Sequence, residues 1–162
     1  MTVISTTPDA RARTLTVVAE FPAQPKAVWQ LWADPRLLER WWGPPTWPAT
    51  FREYDFTVGG EAKYHMTGPA GQRSNGWWRF LALDEPHALE FEDGFADERG
   101  DPNPAMPTAT ARVDLAEIAS GTRMTITMRF GTAEDLEKMV EMGMAEGMAL
   151  AVGQIDEILA AA

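Results

Sequence analysis

The stretch VWQLWADPRLLERWWGPPTWP, residues Val28–Pro48, governs how the rest of the chain is interpreted. It holds five of the chain's seven tryptophans within 21 residues. Just upstream, Pro25 suits a first helical position, where its missing N–H has no consequence. Val28, Leu31 and Trp32 then fall on one face of the helix that follows. The pattern predicts a short helix whose indole-rich face needs apolar surface to cover.

A second helix follows directly in the same stretch. Asp34 before Pro35 repeats the start signal, an N-cap residue followed by proline. Gly43-Pro44-Pro45 ends this helix, because proline supplies no N–H donor and restricts the residue before it. The rest of the chain is therefore expected to supply a large apolar surface for a pair of short helices.

Strand patterns lie on both sides of this helix pair. Arg13–Phe21 before it is rich in β-branched residues and partly alternates. In the last strand Met124, Ile126 and Met128 share one face, as period two requires. Turn signals such as Ser120-Gly121 divide the region after the helices into about six strands: 50–55, 60–67, 73–83, 87–92, 108–119 and 122–130.

The C-terminal region changes to a helical period. Residues 133–161 are predicted to form one long helix that Thr132 caps. Its apolar stripe consists of Met144, Met148, Ala151, Val152, Ile155 and Leu159, widened by Leu136, Met139, Val140 and Leu150. Helices segregated from a run of antiparallel strands predict an α+β fold. We expect one domain over residues 10–162, preceded by a loose end at residues 1–9.

Composition excludes several classes of function. The formal net charge of −10 repels phosphate backbones and anionic membranes, so neither nucleic acid nor a membrane is an expected partner. The chain has no cysteine, which excludes disulfides, thiolate zinc sites and thiol nucleophiles. There is neither a signal-peptide pattern nor an apolar run of membrane-spanning length. These features predict a cytoplasmic protein, and they leave a homodimer open.

Four segments carry a resemblance to a known superfamily: FPAQPKAVWQLWADPRLLERWWGP, FTVGGEAKY, LDEPHALEF and GTRMTITMRF. With the order of elements, they resemble the SRPBCC (START/polyketide cyclase-like) superfamily, in its branch of heat-shock-chaperone ATPase activator homologues (AHSA-type). The resemblance runs from about Arg13 to Leu159. Its most specific pieces are Trp41–Pro44 and Val58–Gly60.

The resemblance implies a helix-grip fold, in which a long C-terminal helix lies across a curved antiparallel sheet. It also implies a cavity between the two that holds an apolar or amphipathic ligand. One departure concerns the C-terminal helix, where many relatives carry a Gly-Trp pair and this chain has Gly147-Met148. That difference predicts a pocket wall that is more flexible than the wall of those relatives and differs from it in shape.

Aromatic and methionine side chains are the candidate ligand contacts. Unbranched thioethers adapt to differently shaped guests, although methionine equally fills irregular cores. Gly143 and Gly147 are costly inside a helix, so either close approach of the sheet or space for a ligand should compensate. The expected contacts are Trp42, Trp47, Tyr64, Trp78, Phe80, Phe91, Phe95, Met106, Met124, Met128, Met144, Met148 and Val152.

Few residues offer chemistry. His65 lies beside Tyr64 and is expected to face water, and His87 at a turn is expected to be exposed. Neither histidine has the spacing of a metal-ligand pair, so no metal or cofactor is predicted. Glu90, Glu92 and Asp93 are interpreted as a solvated face. Tyr64, with Arg79 and Asp114, remains as polar groups on strands that border the implied cavity. The favoured register has Trp78 and Phe80 facing inward and Arg79 outward, because the strand then lines an apolar cavity.

The loop from Asp93 to Pro107 is long enough to fold over the cavity opening as a lid. The leading interpretation is a protein that binds a small apolar or amphipathic molecule. One alternative is a cyclase- or dehydratase-like enzyme for a ketide or aromatic substrate, with Tyr64 as acid or anchor. Another, implied only by the branch of the superfamily, is a module that regulates a chaperone ATPase.

Overall fold

A computed structural model of the chain describes residues 3–161, and in this range the fold is α+β, as predicted. Eight strands form one antiparallel sheet: β1 Val3–Asp9, β2 Thr14–Phe21, β3 Ala49–Tyr54, β4 Glu61–Thr67, β5 Arg73–Asp84, β6 Ala88–Phe95, β7 Thr108–Ile118 and β8 Gly121–Phe130. Five helices accompany it: α1 Pro25–Ala33, α2 Pro35–Leu38, α3 Ala133–Glu141, α4 Met144–Val152 and α5 Ile155–Ala160. None of the helices in residues 3–161 is long and apolar enough to cross a membrane.

The sheet is curved and open, with strand order β1-β2-β8-β7-β6-β5-β4-β3. Strands β3 to β8 form a meander, since each pairs with its neighbour in the chain. Strand β2 then pairs with β8, which brings the start of the fold beside its end. Helix α3 contacts β8, and α4 contacts β1 and β2. The C-terminal helices therefore lie across one half of the sheet, as in a helix-grip fold.

The N-terminal segment differs from its prediction. Val3–Asp9 is not a loose end but the edge strand β1, paired antiparallel with β2. Its hairpin closes through the Asp9 carboxylate, which accepts hydrogen bonds from the Arg11 and Ala12 backbone N–H groups. An edge strand has one neighbour and need not alternate strongly, so the sequence carried a weak strand signal. The first two residues lie outside the described range.

The two short helices follow their start signals. Pro25 begins α1, and the Asp34 side chain accepts a hydrogen bond from the Arg36 N–H at the start of α2. Past the end of α2, the Trp41 indole N–H donates to the Leu31 carbonyl at 3.0 Å, which ties the two helices together. Helix α1 packs on β7 and β8. The tryptophan-rich stretch is thus anchored against the middle of the sheet.

The C-terminal region is helical as predicted, but it is interrupted. Thr132 caps α3 by accepting a hydrogen bond from the Asp135 N–H at 3.1 Å. Gly143 then has φ +89°, a left-handed conformation that an α-helix cannot continue through, so α4 starts anew at Met144. Leu150 is 58% exposed rather than part of the buried stripe. It follows Met148 by two residues, about 200° around the helix.

An aromatic cluster fills the core under α1 and α2. Trp32 is fully buried, with ring centroids 4.8 Å from Trp41 and 6.2 Å from Trp78. Trp78 stacks on Phe91 at 4.1 Å, and Trp42 meets Trp78 edge-on at 4.8 Å. Such edge and stacked arrangements are the favoured geometries of aromatic pairs. Most of the tryptophan-rich stretch therefore serves as core.

Candidate functional site

A pocket of about 280 Å³ opens between the sheet and the C-terminal helices, beside the aromatic core. Its floor comes from the inner face of β4 to β8, one wall from α3 and α4, and one end from the segment after α2. Most of its lining is apolar. The lining residues are Trp41, Trp42, Pro44, Tyr64, Met66, Ser74, Asn75, Asp93, Gly94, Phe95, Pro107, Ala109, Met128, Phe130, Met139, Met142, Gly143, Met144, Gly147, Met148, Ala151 and Val152.

The tryptophan end of the pocket is held in place by backbone contacts. The Gln154 side-chain amide donates to the Gly43 carbonyl at 2.6 Å, which ties the C-terminal helices to the segment after α2. Gly43 allows close packing, since a methyl group there would lie 2.0 Å from the Trp47 carbonyl oxygen. Trp42 is consequently fixed between the core and the pocket.

The helical wall is soft and leaves space. Four methionines line it: Met139, Met142, Met144 and Met148. A methyl group at Gly147 would meet no atom within 4 Å, so this glycine borders open space rather than a closely approaching strand. Flexible thioethers around an unfilled glycine position can accommodate guests of more than one shape.

Tyr64 and Asp93 form the polar end of the pocket. Tyr64 on β4 pairs with Gly76 on β5, and its ring crosses that strand where no side chain stands in the way. A methyl group at Gly76 would lie only 2.3 Å from Tyr64 Cζ. The tyrosine thereby reaches β6, where its hydroxyl lies 3.4 Å from Asp93 Oδ1. Gly76 is the structural reason that this pair exists.

Tyr64 is buried and Asp93 is half-buried, and this loss of solvent changes the ionisation of both groups. Loss of solvent raises the pKa of Asp93 to about 7, an effect that nearby Tyr64 and Trp78 partly offset. Burial, reinforced by the negative charge of Asp93, raises the pKa of Tyr64 well above its ordinary value. The indole N–H groups of Trp42 and Trp78 are buried and lack hydrogen-bond partners within residues 3–161. Near neutral pH the Asp93 carboxyl can therefore gain or lose a proton, whereas the Tyr64 hydroxyl stays protonated.

The structure brings seven of the thirteen expected contacts to the pocket: Trp42, Tyr64, Phe95, Met128, Met144, Met148 and Val152. The other six lie elsewhere. Trp78, Phe80, Phe91 and Met124 are fully buried in the core and do not line the pocket. Trp47 is half-buried and packs against Gly68, outside the pocket lining. Met106 is half-buried in the loop after β6 and does not line the pocket.

The register of β5 agrees with the favoured expectation. Trp78 and Phe80 are fully buried on the inner face, and Arg79 between them is exposed. Trp77 covers the other face of the sheet, where its indole N–H donates to the Phe95 carbonyl at 3.1 Å. Asp114 also faces away from the pocket and pairs with Arg112 at 3.0 Å. Neither Arg79 nor Asp114 can therefore contact a guest in the pocket.

His65 departs from its expectation of facing water. It is 7% exposed, and its Nδ1 has no hydrogen-bond partner within the described residues. Burial, with Arg73 and Arg52 nearby, lowers its pKa. The outer face of the sheet is covered at this point, so alternation with Tyr64 does not lead to solvent. His87 is exposed, as expected.

The loop after β6 takes a course different from a lid. Strand β6 runs on to Phe95, so the ends of the predicted segment, Asp93 to Phe95 and Pro107, line the pocket. The tip lies elsewhere: a methyl group at Gly100 would be 3.2 Å from Lys63 Cδ and 3.4 Å from Arg52 Nη2. Lys63 is paired with Trp77, whose side chain covers the outer face. The loop tip therefore folds against that face and not over the opening.

The residue that the sequence interpretation missed is Asp93. It was grouped with Glu90 and Glu92 as solvated, yet strand period two places residues 89, 91 and 93 on one face. Leu89 and Phe91 on that face are fully buried, and Asp93 is paired directly with inward-facing Trp78. The alternation of strand β6 was the signal that could have identified Asp93 as inward-facing. The acidic residues beside Asp93 in the sequence led to its being grouped with them.

Comparison with solved structures gives similarity over nearly the whole chain. A protein from Arthrobacter aurescens is 51% identical, with TM-score 0.94, and the match covers 99% of this chain and 93% of that one. A protein from Mycobacterium smegmatis is 43% identical, with TM-score 0.90, covering 97% and 96%. The AHSA1 protein from Silicibacter pomeroyi, 20% identical with TM-score 0.72 and covering 91% and 97%, shows the same fold.

No curated protein matches the chain significantly. A family model does, and its match extends over residues 22–160, from the end of β2 to the end of α5. The match includes the tryptophan-rich stretch, the six-strand meander and the helices that bound the pocket. The chain belongs to the family described as Activator of Hsp90 ATPase homolog 1-like protein.

Proposed function

We propose that the chain binds a small apolar or amphipathic molecule in the pocket between the sheet and α3–α4. The observation that carries this proposal is the methionine-lined space around Gly147, which leaves a helix position unfilled beside a tightly packed core. Its volume of about 280 Å³ is near the lower end of the range for ligand sites. That size favours a small guest over a lipid with two long chains.

Two matched tryptophan variants on α4 test this proposal. Met148 lines the pocket, whereas Leu150 lies on the same helix and is exposed. Met148→Trp should fill the space and weaken binding of a bulky apolar fluorescent probe by about tenfold or more, through overpacking. Leu150→Trp should leave the affinity unchanged. The probe is excited outside the tryptophan absorption band, so the added indole does not contribute to its signal.

Equal affinity of the wild type and Met148→Trp would contradict the proposal, since the probe would then bind elsewhere. Equal weakening by both variants would also contradict it, because a surface position should not matter. Mass spectrometry of protein purified from its host without denaturation would identify the natural guest. We also propose a cytoplasmic location, with which the absence of cysteine is compatible.

The Tyr64–Asp93 pair favours a second candidate, a cyclase- or dehydratase-like enzyme. General acid–base help from such a pair is worth typically about 10²–10⁴-fold, enough for enolisation or dehydration of a reactive substrate. Tyr64→Phe keeps the ring and removes the hydroxyl. Under this candidate, turnover of the natural guest should fall sharply in Tyr64→Phe while the fold survives. A guest that leaves the incubation chemically unchanged would exclude it.

The family description raises a third candidate, regulation of a chaperone ATPase. This role needs a surface that contacts the chaperone, and the pocket does not supply one. A coupled ATPase assay with the host's chaperone, with and without the protein, tests it. A stimulated rate would favour this candidate, and an unchanged rate would exclude it.

A further inference from the structure

The polar end of the pocket holds a carboxyl group without a counter-charge. Asp93 is the one acidic side chain among the lining residues within the described range, and that lining contains no lysine, arginine or histidine. Its neighbours are the Tyr64 hydroxyl at 3.4 Å and the indole of Trp78. Asp93 is half-buried, and a carboxylate that loses part of its water is destabilised unless it is paired. The site therefore favours a guest that brings positive charge.

The walls around this carboxyl suit the same guest. Trp42, Tyr64 and Phe95 line the pocket near Asp93, and the Trp42 and Tyr64 rings meet edge-on with centroids 6.4 Å apart. Aromatic faces attract ammonium groups, more strongly when water is excluded. A carboxylate has about four lone-pair positions, so the single long contact with Tyr64 leaves acceptors for another donor.

We propose that the pocket selects amphiphiles whose polar head is a protonated amine, with Asp93 as the acceptor and the methionine wall around the apolar body. This inference rests on the proposed binding function and names the chemical class of its guest. A primary ammonium supplies three donors and the missing positive charge together. Charge-assisted hydrogen bonds of this kind are roughly twice as strong as neutral ones.

Other heads fit the site less well. A carboxylate head would lie beside the Asp93 carboxyl, and two adjacent carboxyl groups cannot both ionise without strong repulsion. An alcohol head can donate one hydrogen bond to Asp93, but it brings no charge to offset desolvation. The expected order of affinity is therefore amine, then alcohol, then carboxylate.

The ionisation of Asp93 adds a pH dependence. The groups that face it are the Tyr64 hydroxyl from β4, Trp78 from β5, Ala109 from β7 and the methionines of α3 and α4. Of these only Tyr64 titrates, and its raised pKa keeps it neutral. Because the pKa of Asp93 is raised to about 7, amine affinity should rise between pH 5.5 and pH 8.5. Carboxylate affinity should change in the opposite direction.

The test uses three probes with the same eight-carbon body: n-octylamine, 1-octanol and octanoate. Isothermal titration calorimetry at pH 8.5 should give about tenfold tighter binding of the amine than of the alcohol. Asp93→Asn removes the charge and keeps the shape, so amine affinity should fall to that of the alcohol. Alcohol affinity should stay within about threefold of wild type. Met148→Trp should weaken all three probes.

If Asp93→Asn fails to fold, a measurement on the wild type alone still tests the role of Asp93. Because the pKa of Asp93 is raised to about 7, binding of the octylammonium ion should release a fraction of a proton per complex at pH values around 7. Titrations in buffers of different ionisation enthalpy measure this number. Octanol binding should release none.

The outcomes separate this inference from the function on which it rests. If none of the three probes binds, the proposed binding function fails. If all bind with equal affinity, or octanoate binds most tightly, the function stands and the amine preference is overturned. An amine preference that persists in a folded Asp93→Asn protein, or amine binding that releases no proton anywhere between pH 5.5 and pH 8.5, overturns the role of Asp93.

Discussion

The inner face of the sheet supports two regions that differ in how they fill space. Under α1 and α2 it is covered by rigid rings, with Trp32, Trp78 and Phe91 fully buried and centroids 4.1 to 6.2 Å apart. Under α3 and α4 it is covered by methionines and glycines around a space of about 280 Å³. Both regions use apolar residues, but only the first is packed like a protein interior. The rigid region can hold the fold while the other remains unfilled.

The border between the two regions explains where the polar groups lie. Trp78 belongs to the rigid region, and its direct partner on β6 is Asp93, which belongs to the pocket. A carboxyl placed one strand further into the aromatic core would lose all contact with solvent or a guest. At the border it gains the Tyr64 hydroxyl and access to the pocket.

Removing a ring from the rigid region should give the largest effect. Trp32→Ala would leave a cavity among four aromatic neighbours, and tryptophan-to-alanine changes in cores cost about 3–5 kcal/mol of unfolding free energy. Urea unfolding followed by circular dichroism measures it. Met142→Ala in the pocket wall, 57% exposed, is the matched control and should cost under about 1 kcal/mol. Equal losses would mean that the two regions do not differ in packing.

A change at the border should have an intermediate effect. Gly76→Ala puts a methyl group 2.3 Å from Tyr64 Cζ, so the ring must move away from Asp93. Overpacking of this kind costs about 1–3 kcal/mol. Gly131→Ala serves as control, since a methyl group there meets only Asp135 Oδ2 at 3.9 Å. A Gly76→Ala protein as stable as the control would show that Tyr64 is not held across β5.

The ionisation of Asp93 should make the stability of the border depend on pH. Its pKa is raised from 3.8 to about 7 in the folded chain, so the folded state binds this proton more tightly than the unfolded state. The free energy of unfolding is therefore highest, as far as this carboxyl is concerned, at and below about pH 4. It decreases as the pH rises towards 7, because the carboxyl then loses its proton more readily in the unfolded state.

Asp93→Asn, which cannot ionise, should be more stable than wild type at pH 8, on the order of 1–3 kcal/mol. This advantage should disappear near pH 4, where the wild-type carboxyl is neutral. Urea unfolding at several pH values measures both. Glu92→Gln, which removes a neighbouring carboxyl from the outer face, is the matched control. An advantage of Asp93→Asn that is the same at pH 4 and pH 8 would contradict the raised pKa.

Local signals in the sequence were sufficient for most of the elements and for the α+β class, whereas the helix-grip arrangement was implied by the family resemblance. Pro25, Asp34-Pro35 and Thr132 mark helix starts that the structure contains, and the alternation of Met124 to Phe130 matches β8. Strand β1 was not predicted because an edge strand shows little alternation. The interruption of the C-terminal helix at Gly143 was not predicted because a helical stripe of apolar residues does not reveal a left-handed residue.

The site was less predictable because it depends on contacts between strands. The meeting of Tyr64 with Asp93 requires Gly76 between them, and no local pattern connects these three positions. The division of the aromatics between core and pocket has the same origin. Trp42 and Trp78 have the same residue type, yet only Trp42 lies at the edge that α4 leaves open.

The smallest expected effect concerns the space in the pocket wall. Gly147 lies inside α4, where glycine is less favourable than alanine by about 1 kcal/mol, and a methyl group there would meet no atom within 4 Å. Gly147→Ala should therefore stabilise the protein by up to about 1 kcal/mol and slightly reduce the affinity for bulky apolar probes. Gly143→Ala is the matched control on the same wall: it also meets no atom, but its φ of +89° makes alanine strained, so it should destabilise. Thermal unfolding and probe titration of both variants measure the two effects. If Gly147→Ala stabilised the chain without changing probe affinity, the open space at Gly147 would not belong to the binding site.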